Sequence, residues 1–406
     1  MNYSELIKQA ETQYAEKFCE IDDIALFNQK KVLDAFIDCR VSARHFMPST
    51  GYGYGDDGRD KLSELFAKTF GTESALVSPH FASGTHTISV ALFGVLKPGD
   101  KMLVLTGTPY DTLYKAIFGK NVGSLADYNI SVDCVPLENG LPNCNAIETK
   151  LKNENYRALY IQRSPGYERR KGFSIEDIRR LISYVGKFSD SPILIDNCYG
   201  EFVEKLEPAE VGANLIMGSL IKNPGGALAP TGGYVAGDKS LVDKIAMRLT
   251  APGVGSEIGS YEHSYRNFYQ GLFVAPHVVA QARKGGLLIA AVMEKLGYKV
   301  FPSAEDDVGD IVRVVDFDDK NKMISFCRAV QASSPIDGFA LPEPWDMPGY
   351  EDKVIMAAGT FVQGSSIELS ADAPVRPPYS LYIQGGITYE HTKIALTRCL
   401  ESFEIR

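Results

Sequence analysis

Two side chains of opposite charge, each placed after an apolar run, mark where chemistry is expected. Lys222 lies in Gly218-Ser219-Leu220-Ile221-Lys222-Asn223-Pro224-Gly225-Gly226, and Asp196 closes Ser191-Pro192-Ile193-Leu194-Ile195-Asp196. Most lysines stay solvated. This one follows Leu215-Ile216-Met217 and precedes glycines, which let a flat ring approach the backbone. An Asp at the end of an apolar strand is often a helix N-cap, but if buried its charge needs a cationic partner. One ligand satisfies both residues: pyridoxal 5'-phosphate (PLP). A lysine amine condenses with its aldehyde as a Schiff base, and a carboxylate keeps its pyridine nitrogen protonated so that the ring accepts electrons. A desolvated lysine beside a cation-stabilising ring also loses proton affinity, which suits it to act as a base once substrate has displaced it.

Other residues fit around this pair. Ser83-Gly84-Thr85 follows a short strand and opens a helix, where backbone N–H groups and the helix dipole favour a phosphate. Plain capping explains the same tripeptide, so it counts only as part of a set, to which Ser219 could add a hydroxyl. Tyr110, in Thr108-Pro109-Tyr110-Asp111-Thr112, is placed either to stack on the pyridine ring or to sit half-buried at a loop. The Gly-rich run 49–58 puts Tyr52 and Tyr54 near Arg59, a loop suited to close over a ligand, including one bound by a neighbouring subunit. Arg376, among prolines, offers a bidentate fork for a substrate α-carboxylate or is a rigid surface arginine. His86 reads as a packing or hydrogen-bonding residue, Cys198 as a small buried hydrophobe, and the histidines show no metal-ligand spacing.

Helices and strands alternate around these residues. Helix is expected over residues 1–40 and Leu62–Phe70. A strand at Ala75–Val77, a helix at Thr85–Val95 and strands at Met102–Leu105 and Ala158–Ile161 come next. Ser174 to Asp177 reads as a capping box, and strands follow at Ile193–Ile195 and Asn214–Met217. Such alternation implies a mostly parallel sheet covered on both faces, with ligands at the strands' C-terminal edge. A long helix from Val278 to Leu296 and a strand at Ile311–Phe317 introduce a smaller terminal unit. The expected division is 1–60 (helical segment and active-site loop), 61–275 (large cofactor-binding domain) and 276–406 (small C-terminal domain).

Bulk composition narrows the class. The 406 residues, 45% hydrophobic and 23% charged, suffice for two or three globular domains. Net charge is −9, without a basic run, which gives no footing for nucleic acid. Seven scattered cysteines without a CxxC pair argue against a disulfide framework or zinc site and for a reducing cytoplasm. The N-terminus lacks an apolar signal region, and Leu287–Met293 is too short for a membrane span.

On Asp196-Asn197-Cys198-Tyr199, Ser219-Leu220-Ile221-Lys222 and Ser83-Gly84-Thr85, the chain resembles the Cys/Met-metabolism family of PLP enzymes. It is most similar to the methionine γ-lyase-like branch associated with aluminium resistance. The resemblance runs from about residue 45 to the C-terminus. It implies an α/β chain of PLP-dependent transferase fold type I: a mostly parallel seven-stranded sheet sandwiched by helices, with a smaller α+β C-terminal domain. It assigns Asp196 to the pyridinium nitrogen, Lys222 to the aldehyde, Ser83, Gly84, Thr85 and Ser219 to the phosphate, and Tyr110 to ring stacking. The run Gly232-Gly233-Tyr234-Val235-Ala236-Gly237 matches the family's glycine motif, and family members are homotetramers built from dimers that share active sites.

The chain also departs from the family pattern. Ile221 replaces a Thr, and Asp111 a Gly. The E-S-P-x-N motif reads Arg163-Ser164-Pro165-Gly166-Tyr167, which puts Tyr167 where an Asn would stand near cofactor and substrate. The Y-x-R phosphate clamp is absent at its spacing, and Tyr52 or Tyr54 with Arg59 is its stand-in. The carboxylate-binding Arg of the C-terminal motif is missing from Leu381-Tyr382-Ile383-Gln384-Gly385-Gly386, which leaves that task to Arg376. The expected function is a PLP-dependent carbon–sulfur lyase acting by β- or γ-elimination on a sulfur-containing amino acid. Another PLP reaction (γ-replacement or transamination) and a PLP-binding stress-resistance protein without turnover stay open. A nucleotide-binding α/β protein is disfavoured by the lack of GxxxxGK[ST] and of a clean GxGxxG after a strand.

Overall fold

A computed structural model describes residues 2–347 and 351–402. The N-terminal stretch, free of Gly and Pro, folds as α1 (Tyr3–Gln13) and α2 (Ala15–Asp38). Helix α3 (Asp57–Phe70) starts earlier than its apolar pattern suggests, because Asp56 caps it by accepting from the Arg59 N–H at 2.9 Å.

Alternation then sets in: β1 (Ser74–Ser78), α4 (Gly84–Val95), β2 (Lys101–Val104), α5 (Asp111–Phe118) and β3 (Ser131–Cys134). A short ribbon of β4 (Leu137–Glu138) and β5 (Leu141–Pro142) leads into α6 (Cys144–Asn153), β6 (Ala158–Gln162) and α7 (Ile175–Val185). The large unit closes with β7 (Ile193–Asp196), β8 (Leu215–Ser219), β9 (Gly233–Gly237) and α8 (Lys239–Leu249). The expected capping box is present at the start of α7, between Ser174 and Asp177.

Seven of these strands form one sheet in the order β1-β9-β8-β7-β6-β2-β3. The β2, β3, β6, β7 and β8 pairings are parallel, and β9 runs antiparallel to both its neighbours. Because side chains alternate along a strand, Leu159, Ile161 and Ile195 feed a core shared with α3 and α7. Tyr160, Leu194 and Met217 feed another, shared with α4, α5 and α8. The sheet is thus covered on both faces, as its unbroken apolar strands require. In register, Gln162 lies beside Asp196 and Asp196 beside Met217, so β6, β7 and β8 end together at one edge.

Helix α9 (Arg266–Lys295) begins well before Val278 and runs through Pro276. Proline forfeits one helix hydrogen bond, which burial of Leu272, Ala275, Val278 and Val279 in the large core offsets. The division expected at 275/276 therefore falls inside a single helix. The small unit continues as β10 (Lys299–Phe301), β11 (Arg313–Asp316), α10 (Lys320–Ala332), β12 (Val354–Ala357), β13 (Ser370–Pro374), β14 (Ser380–Gln384) and α11 (Tyr389–Glu401). Its five strands form an antiparallel sheet, β10-β11-β14-β13-β12. Ile7 and Ala10 of α1 and Ile21 of α2 complete this small core, and Val32 and Ala35 of α2 join the large one. The N-terminal segment thus ties the two units together.

Behind the sheet edge, Glu201 is fully buried; the Tyr234 hydroxyl donates to Oε1 at 2.8 Å, and Oε2 has no partner among the described residues. Burial pushes its carboxyl from 4.5 up to about 8, only partly opposed by hydrogen bonds from the backbone and Tyr234. The folded chain therefore holds a proton that the unfolded chain has released, and stability falls as pH rises through that window. Glu201→Gln is expected to flatten this fall by on the order of a few kcal/mol. Urea midpoints of both proteins at pH 5 and pH 8 measure it; parallel pH dependences would contradict the assignment.

Candidate active site

A cavity of about 400 Å³ opens where β6, β7 and β8 end; Asp372 of β13 and Gln384 of β14 face it from the small sheet. Lys222 and Asp196 both line it. Lys222 follows β8 on a turn that only small residues permit: a Cβ on Gly225 would stand 1.7 Å from the Leu220 carbonyl oxygen. Its Nζ sits 4.0 Å from the centroid of the Tyr199 ring. Asp196 is buried and accepts from the Cys198 N–H at 3.1 Å. Burial raises its carboxyl above the ordinary range, with Lys222 and Cys198 acting the other way.

The amine of Lys222 behaves otherwise than its sequence context suggests. Burial alone pulls it down. Cys198, Tyr199, Asp196 and Tyr110 around it act more strongly in the opposite sense and hold it well above the usual lysine range. The lowered proton affinity expected of a desolvated lysine is thus not a property of the protein by itself.

Ser83 caps α4, its Oγ accepting from the His86 N–H at 3.1 Å, and His86 Nδ1 accepts from the Ala82 N–H, the hydrogen-bonding role expected of it. Thr85 Oγ1 lies 3.2 Å from the Tyr110 hydroxyl and 3.0 Å from Thr112 Oγ1. Tyr110 is set by its own N–H, which donates to Gln162 Oε1 at 3.0 Å. Burial, with Asp196 nearby, keeps its phenol above the ordinary range.

Two features have no use inside the protein and fit PLP. Ser219 Oγ is buried without a hydrogen-bond partner among the described residues. Gly84 leaves a hollow: a Cβ there would stand 3.4 Å from Ser219 Cβ, 3.8 Å from Cys198 Sγ and 4.0 Å from Lys222 Nζ. An amine, a carboxylate, a helix start and a spare hydroxyl therefore converge on one hollow, the donor set that an aldehyde, a pyridinium and a phosphate need.

Tyr167 lines the same cavity, and its hydroxyl donates to Asp372 Oδ2 at 2.9 Å. Gln384 Nε2 donates to Asp372 Oδ1 at 3.1 Å, and the Tyr382 hydroxyl to the Tyr167 carbonyl at 2.8 Å. Burial raises Asp372 to about 6, with Tyr167, Gln384 and Lys222 pulling it down. Arg376 lines the cavity too, with Nη1 donating to Asp352 Oδ2 at 2.9 Å.

Tyr54 and Arg59 do not line the cavity of their own chain. Arg59 is buried and already engaged, by the Gly53 carbonyl at 3.0 Å and by Asp60 at 2.9 Å, because its task is to fix the Gly-rich loop. That loop packs on residues 259–265, through Gly259 N–H to the Tyr52 carbonyl and the Tyr265 hydroxyl to Asp56. Tyr52 and Tyr54 stack on one another in the open, ring centroids 5.3 Å apart.

Sequence reasoning passed over Asp372, Gln162 and Gln384 as site residues. The only signal for Asp372 is one acid between two alanines in a strand of small residues. Arg163, noted as a departure, is a structural post. It is fully buried and donates to Asn197 Oδ1 at 2.8 Å, the Gly200 carbonyl at 2.9 Å and Glu204 at 2.7 Å, bracing the turn after Asp196.

Comparison with known proteins bears on the fold and the family. The uncharacterized protein YnbB of Bacillus subtilis (strain 168) is 47% identical over 411 residues, covering 99% of this chain and 97% of its own. A crystal structure from Listeria monocytogenes str. 4b F2365, provisionally named a cystathionine beta-lyase involved in aluminum resistance, matches with a TM-score of 0.96. It is 50% identical and covers 98% of this chain and 99% of that one. The carbon-sulfur lyase involved in aluminum resistance from Clostridium novyi NT gives 0.94 at 48% identity, over 98% of this chain and 95% of that one. The architecture is PLP-dependent fold type I. Residues 3–404 match the family model described as methionine gamma-lyase, and the chain belongs to that family.

Proposed function

We propose that this chain is a PLP-dependent carbon–sulfur lyase performing β- or γ-elimination on an amino acid of the cysteine, cystathionine or methionine type. One observation carries the reading: Lys222, Asp196 and the start of α4 at Gly84 converge on a single cavity. The names of the Listeria and Clostridium relatives support the same reaction class.

PLP, when bound, supplies an electron sink for the charge left at Cα when a proton departs. Asp196 is the carboxylate that would face its ring nitrogen. Lys222 Nζ, at the centre of the residue cluster, is the base for the Cα proton. Burial and Asp196 disfavour the phenolate of Tyr110, so its hydroxyl stays protonated and is placed to donate a hydrogen bond to a departing sulfur. Arg376 has donors beyond the Nη1 taken by Asp352, and these serve the substrate carboxylate.

The test is product analysis of the PLP-loaded protein with L-cysteine, L-cystathionine and L-methionine. Pyruvate reports β-elimination and 2-oxobutanoate γ-elimination, each with ammonia and a thiol. Cofactor bound without a keto acid from any of the three would sink the lyase reading and leave the protein without turnover.

A further inference from the structure

Away from Lys222, a second cavity of about 350 Å³ opens where α2, the start of α7, α9 and the 306–308 segment meet. Its walls carry charge of both signs: Lys17, Arg283 and Arg313 against Glu20, Glu204 and Asp307, together with Glu176 and Asp306, which pair with Arg179, Arg180 and Lys171 outside it. Several of these are engaged. Lys17 donates to the Ala304 carbonyl at 3.2 Å, and Arg313 Nη1 to the Pro302 and Ser303 carbonyls at 3.0 and 3.1 Å. Glu204 accepts from Arg163 at 2.7 Å and from the Ile175 N–H at 2.9 Å.

Arg283 is different. Its Nε and Nη1 are buried, and neither has a hydrogen-bond partner among the described residues. Burial pulls its guanidinium down to about 10, with Glu204 the largest opposing influence. Buried guanidinium donors are ordinarily satisfied, and leaving them bare is costly. Glu20 and Asp307 reach Arg283 only through their fields, without a hydrogen bond or close ion pair among the described residues. The cavity thus holds a spare cation and two spare anions around a space wide enough for a small molecule. Ile24, Leu287 and Val308 give it an apolar side.

We propose that this cavity binds a small zwitterion of the α-amino-acid class, its carboxylate accepting from Arg283 and its ammonium donating toward Glu20 and Asp307. An anion alone, and phosphate above all, would meet the field of the two acids. A cation alone would leave Arg283 bare. An apolar molecule would strip water from the exposed Glu20 and Asp307 and still leave Arg283 bare. The apolar wall suits a short aliphatic side chain. This site lies apart from Lys222, so the assignment stands whichever reaction occurs there.

The probe is N,N-dimethylglycine, a zwitterion whose tertiary amine cannot condense with an aldehyde. With the PLP-loaded protein, calorimetry is expected to show saturable binding that acetate at the same concentration does not match. Arg283→Met should weaken binding by at least about tenfold, the loss expected for charge-assisted hydrogen bonds. Ile24→Trp, which fills the cavity and keeps every charge, should abolish it, and carries the test alone if Arg283→Met does not fold. No saturable binding, equal binding of acetate, or unchanged affinity in Ile24→Trp would each overturn the proposal.

Discussion

Lys222→Ala is expected to lower turnover by at least about 10⁴-fold, because both a covalent anchor and a general base disappear together. Borohydride treatment of the PLP-loaded wild type should add one cofactor mass to the peptide containing Lys222; the variant should gain none. The neighbours of Lys222 add a pH signature. Burial lowers its proton affinity, but Cys198, Tyr199, Asp196 and Tyr110 raise it further, so the amine in the cofactor-free protein stays protonated. Only the neutral amine attacks an aldehyde. Cofactor loading should therefore accelerate steadily with pH, without a plateau near neutrality. Full activity in Lys222→Ala would remove the basis of the functional reading.

Asp196→Asn is expected to cost about 10²–10³-fold in kcat/KM, the scale for losing one preorganised electrostatic contact. The amide keeps the shape and can still accept from the Cys198 N–H, which Asp196 does at 3.1 Å. What it loses is the charge that holds a pyridine nitrogen protonated. The variant should therefore still attach PLP through Lys222 while turnover falls, which separates the two roles. Steady-state kinetics beside borohydride trapping measures this. A variant with wild-type kcat/KM would show that Asp196 is only a buried structural acid.

The pairing of Lys222 with Asp196 was legible because local signals carry it: buried strands of alternating contacts, small residues on the turn, and an acid at a strand end. The sheet and its coverage followed from the same alternation. Partners distant in sequence were hidden. Asp372 becomes a site residue only because β13 pairs with β14 and turns it toward Tyr167 and Lys222, a register no local pattern announces. Arg59 is expected as a stand-in for a phosphate clamp on a neighbouring subunit; within its own chain its Nη1 donates to the Gly53 carbonyl. The helix expected from Val278 begins at Arg266 instead, and packing of Leu272 and Ala275 on the large core carries it through Pro276. The docking of α1 on the small core was equally invisible, since its apolar stripe does not say which surface it meets.

The passage of α9 through both cores has a mechanical corollary. Its 30 residues make a rod about 45 Å long, embedded in the large core at one end and the small core at the other. Swinging the small sheet toward Lys222 would mean flexing that rod, and α2 lies alongside it as a splint. On the proposed lyase reading, discrimination among amino acids is expected to rest on what Asp372, Gln384 and Tyr167 present to the cavity, far more than on any clamshell movement.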